Sequence, residues 1–223
     1  MREAVFVSYA RTGLAKAGRG GFNITPAMTM AAHAISSAVD KAGIEPELVE
    51  DVALGNGAHG AANLGRLAGL LAGLPVTTGG NTIQRHCSSG LNSIAVAANH
   101  IRLDGVERAV GAGVESISIP SPGFGGAVNM DPKLTEMYPA IYMAMIETAD
   151  IVADRYNVSR EYQDEYSYES QMRMARAQEN GLFEDEIVPM ATKMKLVDKE
   201  TKEESIVDYV VTGDECNRPS TTL

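Results

Sequence analysis

The sequence from residue 81 to residue 93 is Asn81-Thr82-Ile83-Gln84-Arg85-His86-Cys87-Ser88-Ser89-Gly90-Leu91-Asn92-Ser93. A β-like run ends at Cys87, and apolar residues at helical spacing follow from residue 88 to residue 104. The thiol is therefore predicted where a strand meets a helix. Free N–H groups and the positive end of the helix dipole stabilise a thiolate at such a position, and the thiolate is the nucleophilic form of cysteine.

The residues after the cysteine fit a helix start. Ser88 or Ser89 can cap the helix, and Gly90 leaves room for a ligand to approach the backbone. The alternative is that Cys87 is one more small, buried, unreactive residue, as single cysteines usually are. Its place between strand and helix favours a reactive thiol.

Strand and helix patterns alternate on both sides of this stretch. Such alternation predicts an α/β fold, a mostly parallel sheet layered with helices. The predicted strands are residues 4–10, 49–55, the run into Cys87, and 108–114, and the predicted helices are 27–41, 64–72 and 88–104. In the last helix, the residues expected to face inward are Leu91, Ile94, Ala95, Ala98 and Ile101.

Charge marks a boundary near residue 120. Residues 1–120 hold 9 basic and 9 acidic side chains, whereas residues 121–223 hold 10 and 20, which accounts for the net charge of −10. A Pro/Gly-rich stretch, residues 120–126, joins the two parts. We therefore predict an N-terminal α/β domain, residues 1–120, and an appended, mainly helical α+β domain, residues 121–223.

The second part is predicted to lie over the first as a lid or insertion. Its predicted helices are 138–156 and 160–179, the second capped by Ser159 and ended by Gly181. Short strands are expected at 187–190 and 206–211, around a charged hairpin. One stripe of the second helix is expected to be core rather than a binding surface, and it contains Tyr162, Tyr166, Ser170, Met174 and Ala177.

Composition excludes several classes of protein. The apolar share of 44% is ordinary for a globular protein. No apolar run reaches the roughly 20 residues of a membrane span, and the N-terminus lacks a signal-peptide core, so we expect a soluble, cytoplasmic protein. An acidic chain without a basic stripe is a poor nucleic-acid binder. The two cysteines, Cys87 and Cys216, suggest neither a disulfide framework nor a metal site.

A possible dinucleotide-binding turn is present at residues 55–60. Gly55, Gly57 and Gly60 match the G-x-G-x-x-G spacing after a strand and before a helix. That fingerprint also needs an acidic residue about 20 positions later to hold the ribose. There is no Asp or Glu between Val52 and Leu103. We therefore expect the glycines to let a loop fold tightly near another chain or a substrate.

Residues 81–93 resemble the nucleophile motif of the thiolase family, N-x-x-x-x-x-C-[SG]-S-G-L. Further pieces in the same order along the whole chain resemble the same family. They are Arg11-Thr12, the Gly65 to Pro75 segment, Gly111 to Ser118 with Glu115-Ser116 at its centre, Met145 to Asp150, and Asp214 to Pro219. The resemblance implies the half-domain fold of thiolases, a mixed sheet layered with helices, followed by a domain that covers coenzyme A (CoA).

The resemblance also implies a reaction. Thiolases cleave a 3-oxoacyl-CoA by thiolysis, or condense two acyl-CoA molecules in the reverse Claisen reaction, through an acyl-cysteine intermediate. Cys87 would be the nucleophile and its backbone N–H part of the oxyanion hole. Met145 matches a residue lining the pantetheine and acyl pocket, and Arg218 one near the CoA nucleotide. CoA is a substrate here, and no cofactor or metal is expected.

The chain also departs from the family pattern. Ala144 stands where short-chain members often carry histidine, and Ile146 where glycine is usual, so acyl-chain length is not readable. The family's general-base histidine, in a G-H-P motif, and second cysteine, in a C-x-G motif, are not in this sequence. His33, His59, His86 and His100 do not replace them. We therefore expect this chain to need a C-terminal thiolase half, as a separate chain or a missing segment.

Two other function classes remain open. One is another condensing enzyme of the superfamily, such as a 3-oxoacyl-carrier-protein synthase, whose acidic protein substrate would favour a basic surface. The other is a non-catalytic CoA-binding subunit or truncated remnant of the fold. Because family members pair through the strand that leads to the nucleophile, a homodimer or tetramer is expected.

Overall fold

The computed structural model describes residues 2–57, 62–119 and 130–223. The chain divides into two compact units, Met1–Gly126 with Glu184–Cys216, and Ala127–Phe183 with Asn217–Leu223. In chain order, the helices and strands are α1 (Ala27–Ala42), β1 (Asp51–Gly55), α2 (Leu64–Leu71), β2 (Asn81–Ile83), α3 (Ser89–Leu103), β3 (Ala109–Gly113), α4 (Pro132–Met137), α5 (Met145–Tyr156), α6 (Arg160–Glu179), β4 (Met190–Val197) and β5 (Glu204–Val211).

A parallel sheet forms the centre of the first unit. Its strand order is β2-β1-β3, and β1 pairs with both neighbours. Val52, Ala53 and Leu54 of β1 are fully buried. A run of consecutive apolar residues is typical of a parallel strand covered on both faces. The predicted α/β fold is confirmed.

Helices α1 and α2 cover this sheet with a common core. Ile35 and Val39 of α1 and Leu64 and Ala68 of α2 pack with Val52 and its neighbours in one buried cluster. Helix α1 ends at Gly43, whose φ of 64° is left-handed. Glycine adopts this conformation without a steric penalty, so it fixes the end of the helix.

The β4–β5 hairpin belongs to the first unit. Met190 and Val211, at the open end of the hairpin, pack with Phe22, Ala27 and Met30 in a second buried cluster. The sequence prediction assigned all of residues 121–223 to one appended domain. The compact units differ from that division because the hairpin buries its apolar end against residues of the N-terminal part.

The second unit contains three helices among its described residues. Ser159 caps α6 as predicted, accepting a hydrogen bond from the Tyr162 N–H at 3.2 Å. The predicted helix over 138–156 begins only at Met145, since residues 138–144 form turns around Pro139. The core stripe predicted on α6 is wrong, because none of the residues of this helix is buried. Tyr162 and Tyr166 are 63% and 66% exposed.

The N-terminal strand predicted over residues 4–10 is not formed. These residues have no regular secondary structure, and Val5, Phe6 and Val7 are each more than 65% exposed. Alternating residues become a strand only beside a hydrogen-bonding neighbour. In this segment the described pairing starts at Arg11, the next residue along, which makes an isolated bridge to Ile187.

Two predicted features fall on residues outside the description. The linker at 120–126 and residues 58–60 of the glycine motif are among them. Across the described parts of the chain, none of the helices combines the length and hydropathy of a membrane span.

Candidate active site

Cys87 lies in a tight turn between β2 and α3, as the sequence predicts. The turn follows the end of β2 at Ile83, and α3 begins at Ser89 with Ser88 as its N-cap residue. The Ser88 N–H donates to the Arg85 carbonyl at 3.0 Å, and the Ser89 N–H to the His86 carbonyl at 3.1 Å. Cys87 is exposed to solvent. Its thiol is therefore accessible at the N-terminal end of a 15-residue helix.

His86, directly before the cysteine, has a left-handed backbone with φ of 46°. Non-glycine residues rarely adopt this conformation, and they keep it only where neighbouring groups hold it. The prediction that His86 and Cys87 lie on an extended strand is therefore wrong, because the chain turns sharply at His86.

The hydroxyl of Ser89 binds both sides of this turn. Its Oγ accepts a hydrogen bond from the Arg85 N–H at 2.8 Å and donates one to the His86 carbonyl at 2.6 Å. Ser88, which the sequence also offered as a cap, makes no side-chain capping bond. Neither serine hydroxyl caps the helix in the predicted way, since that of Ser89 closes the preceding turn instead.

Glycines bring α3 unusually close to the sheet. A β-carbon added to Gly55 would lie 2.3 Å from the Ser89 carbonyl carbon, and one added to Gly113 would lie 3.0 Å from the Gly90 Cα. Gly90, predicted to admit a ligand, thus lies against β3. The start of the helix is fixed by backbone contact with both strands.

The face that α3 buries differs from the predicted one. Ser89, Ser93 and Ala97 are buried, whereas Leu91 is 74% exposed. Small residues are needed where helix and glycine-rich strand approach closely. The Ser93 hydroxyl lies 2.6 Å from the Gly90 carbonyl and 2.5 Å from the Ala112 carbonyl.

Polar residues that follow β1 and β3 meet beside the cysteine turn. The buried Asn56 amide donates to the Val114 carbonyl at 2.8 Å and to Glu115 Oε1 at 3.1 Å. Glu115 Oε2 accepts from the Gly57 N–H at 2.9 Å. Gly57 in turn lies against His86, because a β-carbon there would be 3.3 Å from the His86 carbonyl oxygen. These contacts connect the ends of β1 and β3 to the turn.

His33 and His100 lie on helices rather than in the cysteine turn. His33 lies on α1, as predicted, and its carbonyl accepts from the Ser36 and Ser37 hydroxyls. His100 lies on α3, with Nδ1 2.8 Å from Asp51 Oδ2. His59 is outside the described residues.

The other predicted site residues belong to the second unit. Met145 is the first residue of α5 and is 80% exposed. The Arg218 N–H donates to Gln171 Oε1 at 2.5 Å. Cys216 is exposed in the first unit, with Sγ 3.6 Å from the Leu14 carbonyl.

The sequence prediction missed Ser89, Asn56 and Glu115 as parts of the site's framework. For Asn56 and Glu115 a signal exists, because each follows a strand of a parallel sheet. The carboxyl ends of such strands meet at one edge, where polar residues come together. For Ser89, the motif indicated a cap but gave no sign of the bonds to Arg85 and His86.

Comparisons with known proteins agree over the whole chain. A family model described as the thiolase N-terminal domain matches residues 4–223. The 3-ketoacyl-CoA thiolase of Bacillus subtilis (strain 168) is 37% identical, and the alignment covers 100% of this chain and 57% of that protein. The peroxisomal 3-ketoacyl-CoA thiolase of Homo sapiens is 36% identical, with 99% and 51% covered.

A solved structure gives the same result. The crystal structure of the Bacillus anthracis acetyl-CoA acetyltransferase matches with a TM-score of 0.79 and 32% identity, covering 100% of this chain and 57% of that one. The chain spans about half the length of the curated relatives it matches. With the family model matched from residue 4 to residue 223, the chain belongs to the thiolase family.

Proposed function

We propose that this chain is the nucleophile-bearing part of a CoA-dependent acyltransferase of the thiolase type. The observation that carries the proposal is Cys87, an exposed thiol held by a left-handed turn at the start of α3. Backbone N–H groups and the dipole at a helix N-terminus favour a thiolate. The similarity to 3-ketoacyl-CoA thiolases supports a 3-oxoacyl-CoA as the substrate class.

In thiolysis, the Cys87 thiolate adds to the 3-keto carbonyl carbon of the substrate. The bond between C2 and C3 then breaks, and its electron pair stays on C2 of the departing acyl-CoA, which takes up a proton. The acyl group remains on sulfur as a thioester. The thiol of a second CoA loses its proton and displaces Cys87 from that thioester, and the reverse sequence is Claisen condensation.

The remaining site residues are proposals of the same kind. The Cys87 N–H supplies part of the oxyanion hole for the tetrahedral intermediate. Met145 contacts the pantetheine and acyl part of CoA, and Arg218 lies near its nucleotide phosphates. A local cation is required there, because residues 121–223 hold 20 acidic and 10 basic side chains and would otherwise repel the phosphates. CoA serves as substrate, and no other cofactor or metal is proposed.

Proton transfer is proposed to depend on a C-terminal thiolase half. The sequence contains no G-H-P or C-x-G motif to supply the family's acid and base. The second half acts from a further segment or a separate chain, and this chain alone does not turn over.

A thiolysis assay tests the proposal. The chain is assayed alone and with a C-terminal thiolase half-domain added, using a short 3-oxoacyl-CoA and CoA, with Cys87→Ser as the control. We expect turnover only when the C-terminal half-domain is added, and no turnover when the chain in that mixture carries Cys87→Ser. Full activity of the lone chain would defeat the need for a second half, and turnover by the control would defeat the role of Cys87.

The second candidate is a non-catalytic CoA-binding subunit of the thiolase fold, because the sequence printed here has no G-H-P or C-x-G motif. That candidate predicts CoA binding without acylation of Cys87 in any combination. Mass analysis of the Cys87 peptide after incubation with the 3-oxoacyl-CoA separates the two.

Self-association and cytoplasmic location complete the proposal. Strand β2 lies at an edge of the described sheet, where a second copy can pair with it, which supports the expected dimer or tetramer. Sedimentation of the purified chain measures the assembly. Named relatives include peroxisomal proteins, so fractionation of the source cells is the test of location.

A further inference from the structure

The turn that carries Cys87 is closed by one side chain. Ser89 is only 4% exposed. Its hydroxyl accepts from the Arg85 N–H at 2.8 Å and donates to the His86 carbonyl at 2.6 Å. The two bonds connect the residue before His86 with His86 itself, so the hydroxyl spans the strained position.

The backbone of His86 sets the direction of the cysteine. With φ of 46°, His86 has a conformation that an L-residue leaves unless its surroundings prevent it. Cys87 is the next residue, so rotation at His86 would move the thiol away from the helix start.

We propose that Ser89 is a positioning residue for Cys87. Its hydroxyl keeps His86 left-handed and thereby holds the thiol at the N-terminal end of α3. The inference deepens the proposed function and rests on it, since it assumes that Cys87 is the nucleophile. It assigns Ser89 no contact with substrate.

The main chain of Ser89 is fixed by packing against β1. The Ser89 carbonyl carbon would be 2.3 Å from a β-carbon added to Gly55, so there is no room for the main chain to move toward the strand. Removing the Oγ atom therefore leaves the helix start in place and removes the two side-chain bonds of the turn before it.

The chain provides two matched controls for Ser89→Ala. Ser88→Ala removes the neighbouring hydroxyl, which makes no capping bond. Ser93→Ala removes a fully buried hydroxyl that bonds to Gly90 and Ala112 but not to the turn. The first variant controls for sequence position, and the second for loss of a buried hydrogen bond.

The measurement is the rate of iodoacetamide alkylation at near-neutral pH, with peptide mapping of Cys87 and with Cys216 as the internal standard. Because the turn holds the exposed thiol at the start of α3, Ser89→Ala should slow Cys87 alkylation roughly fivefold to tenfold. Ser88→Ala should change neither rate nor thermal midpoint. Ser93→Ala should lower the thermal midpoint and keep the alkylation rate.

A folded Ser89→Ala variant whose Cys87 reacts at the wild-type rate would overturn the inference. An equal slowing of Cys87 alkylation in Ser88→Ala would overturn it too. If Ser89→Ala does not fold, hydrogen exchange of the Arg85 amide in the wild-type chain decides. Protection of about tenfold or more over an unstructured peptide supports the inference, and exchange at the unstructured rate overturns it.

Failure of the proposed function gives a different result. Wild-type Cys87 would then react no faster than Cys216. In that case the positioning role of Ser89 would be disproved together with the proposed function. Fast wild-type alkylation that Ser89→Ala leaves unchanged would remove only the inference about Ser89.

Discussion

Arg11 and Asp214 form a two-bond ion pair across 203 residues of sequence. Arg11 Nη1 lies 2.7 Å from Asp214 Oδ1, and Nη2 lies 3.0 Å from Oδ2. The Asp214 side chain is 2% exposed and that of Arg11 30%. Arg11 Nε also lies 2.8 Å from Glu186 Oε1. Arg11 thus connects the N-terminal segment to the residues before and after the β4–β5 hairpin.

Replacing Arg11 should therefore destabilise the first unit. Arg11→Ala leaves the Asp214 carboxylate buried without its cation, which should cost about 3 kcal/mol of the free energy of unfolding. Urea denaturation measures this cost. Arg19→Ala is the control, because Arg19 is an exposed arginine in the same segment, and a change below about 0.5 kcal/mol is expected there. Equal effects of the two variants would contradict the structural role of the pair.

The same pair predicts how stability depends on pH. Burial alone would raise the pKa of Asp214, but hydrogen bonds from Arg11 and the Leu14 N–H, with the guanidinium charge, hold that pKa below its ordinary value. A carboxyl whose pKa is lowered in the folded state stabilises the protein above its unfolded pKa, about 3.9. This contribution is lost as the pH falls through the folded value.

Urea unfolding at several pH values tests this sign. Between about pH 6 and about pH 3, wild type should lose more free energy of unfolding than Asp214→Asn, which has no carboxyl to protonate. Parallel curves for the two proteins would show that Asp214 titrates alike in the folded and unfolded states.

The close contact between the sheet and α3 predicts that alanine at Gly55 and alanine at Gly90 change stability in opposite directions. Gly55→Ala places a methyl group on the Ser89 main chain, so it should destabilise by about 2–3 kcal/mol or more. Among the described residues, the methyl group of Gly90→Ala meets the Gly113 Cα at 3.8 Å, an ordinary contact, so this variant should stabilise the helix by about 0.5–1 kcal/mol. Thermal unfolding of both variants is the measurement, and a tolerated Gly55→Ala would disprove the contact.

Two substitutions at His86 distinguish the effect of its backbone conformation from the effect of its imidazole ring. Asparagine tolerates left-handed φ, so His86→Asn should keep both stability and Cys87 alkylation. Valine is branched at its β-carbon, and His86→Val should cost about 1–2 kcal/mol and slow alkylation. Loss of alkylation in a folded His86→Asn variant would mean that the imidazole takes part in activating the thiol.

The sequence predicted most of the α/β layer. Helices α1, α2, α3 and α6 and strands β1 and β3 lie within a few residues of their predicted bounds, because periodicity and glycine or serine signals act locally. The position of Cys87 before a helix followed from the same local signals. It follows that the candidate nucleophile could be located without a structure.

Features that depend on distant residues were not predictable in this way. The alternation of residues 4–10 shows two faces but not whether a neighbouring strand exists. Helix spacing placed Leu91 inward, whereas the glycines of β1 and β3 require the small residues Ser93 and Ala97 at the contact. The Arg11–Asp214 pair and the bonds of Ser89 required the folded arrangement.

The most direct test of the central claim compares two exposed cysteines of one chain. Cys87 and Cys216 are alkylated with iodoacetamide at near-neutral pH, with and without a 3-oxoacyl-CoA, and both peptides are followed by mass spectrometry. We expect Cys87 to react several-fold faster than Cys216 and to be protected by the CoA ester, because only Cys87 lies at a helix start. Equal, unprotected alkylation of the two cysteines would contradict the assignment of Cys87 as the acyl-carrying nucleophile.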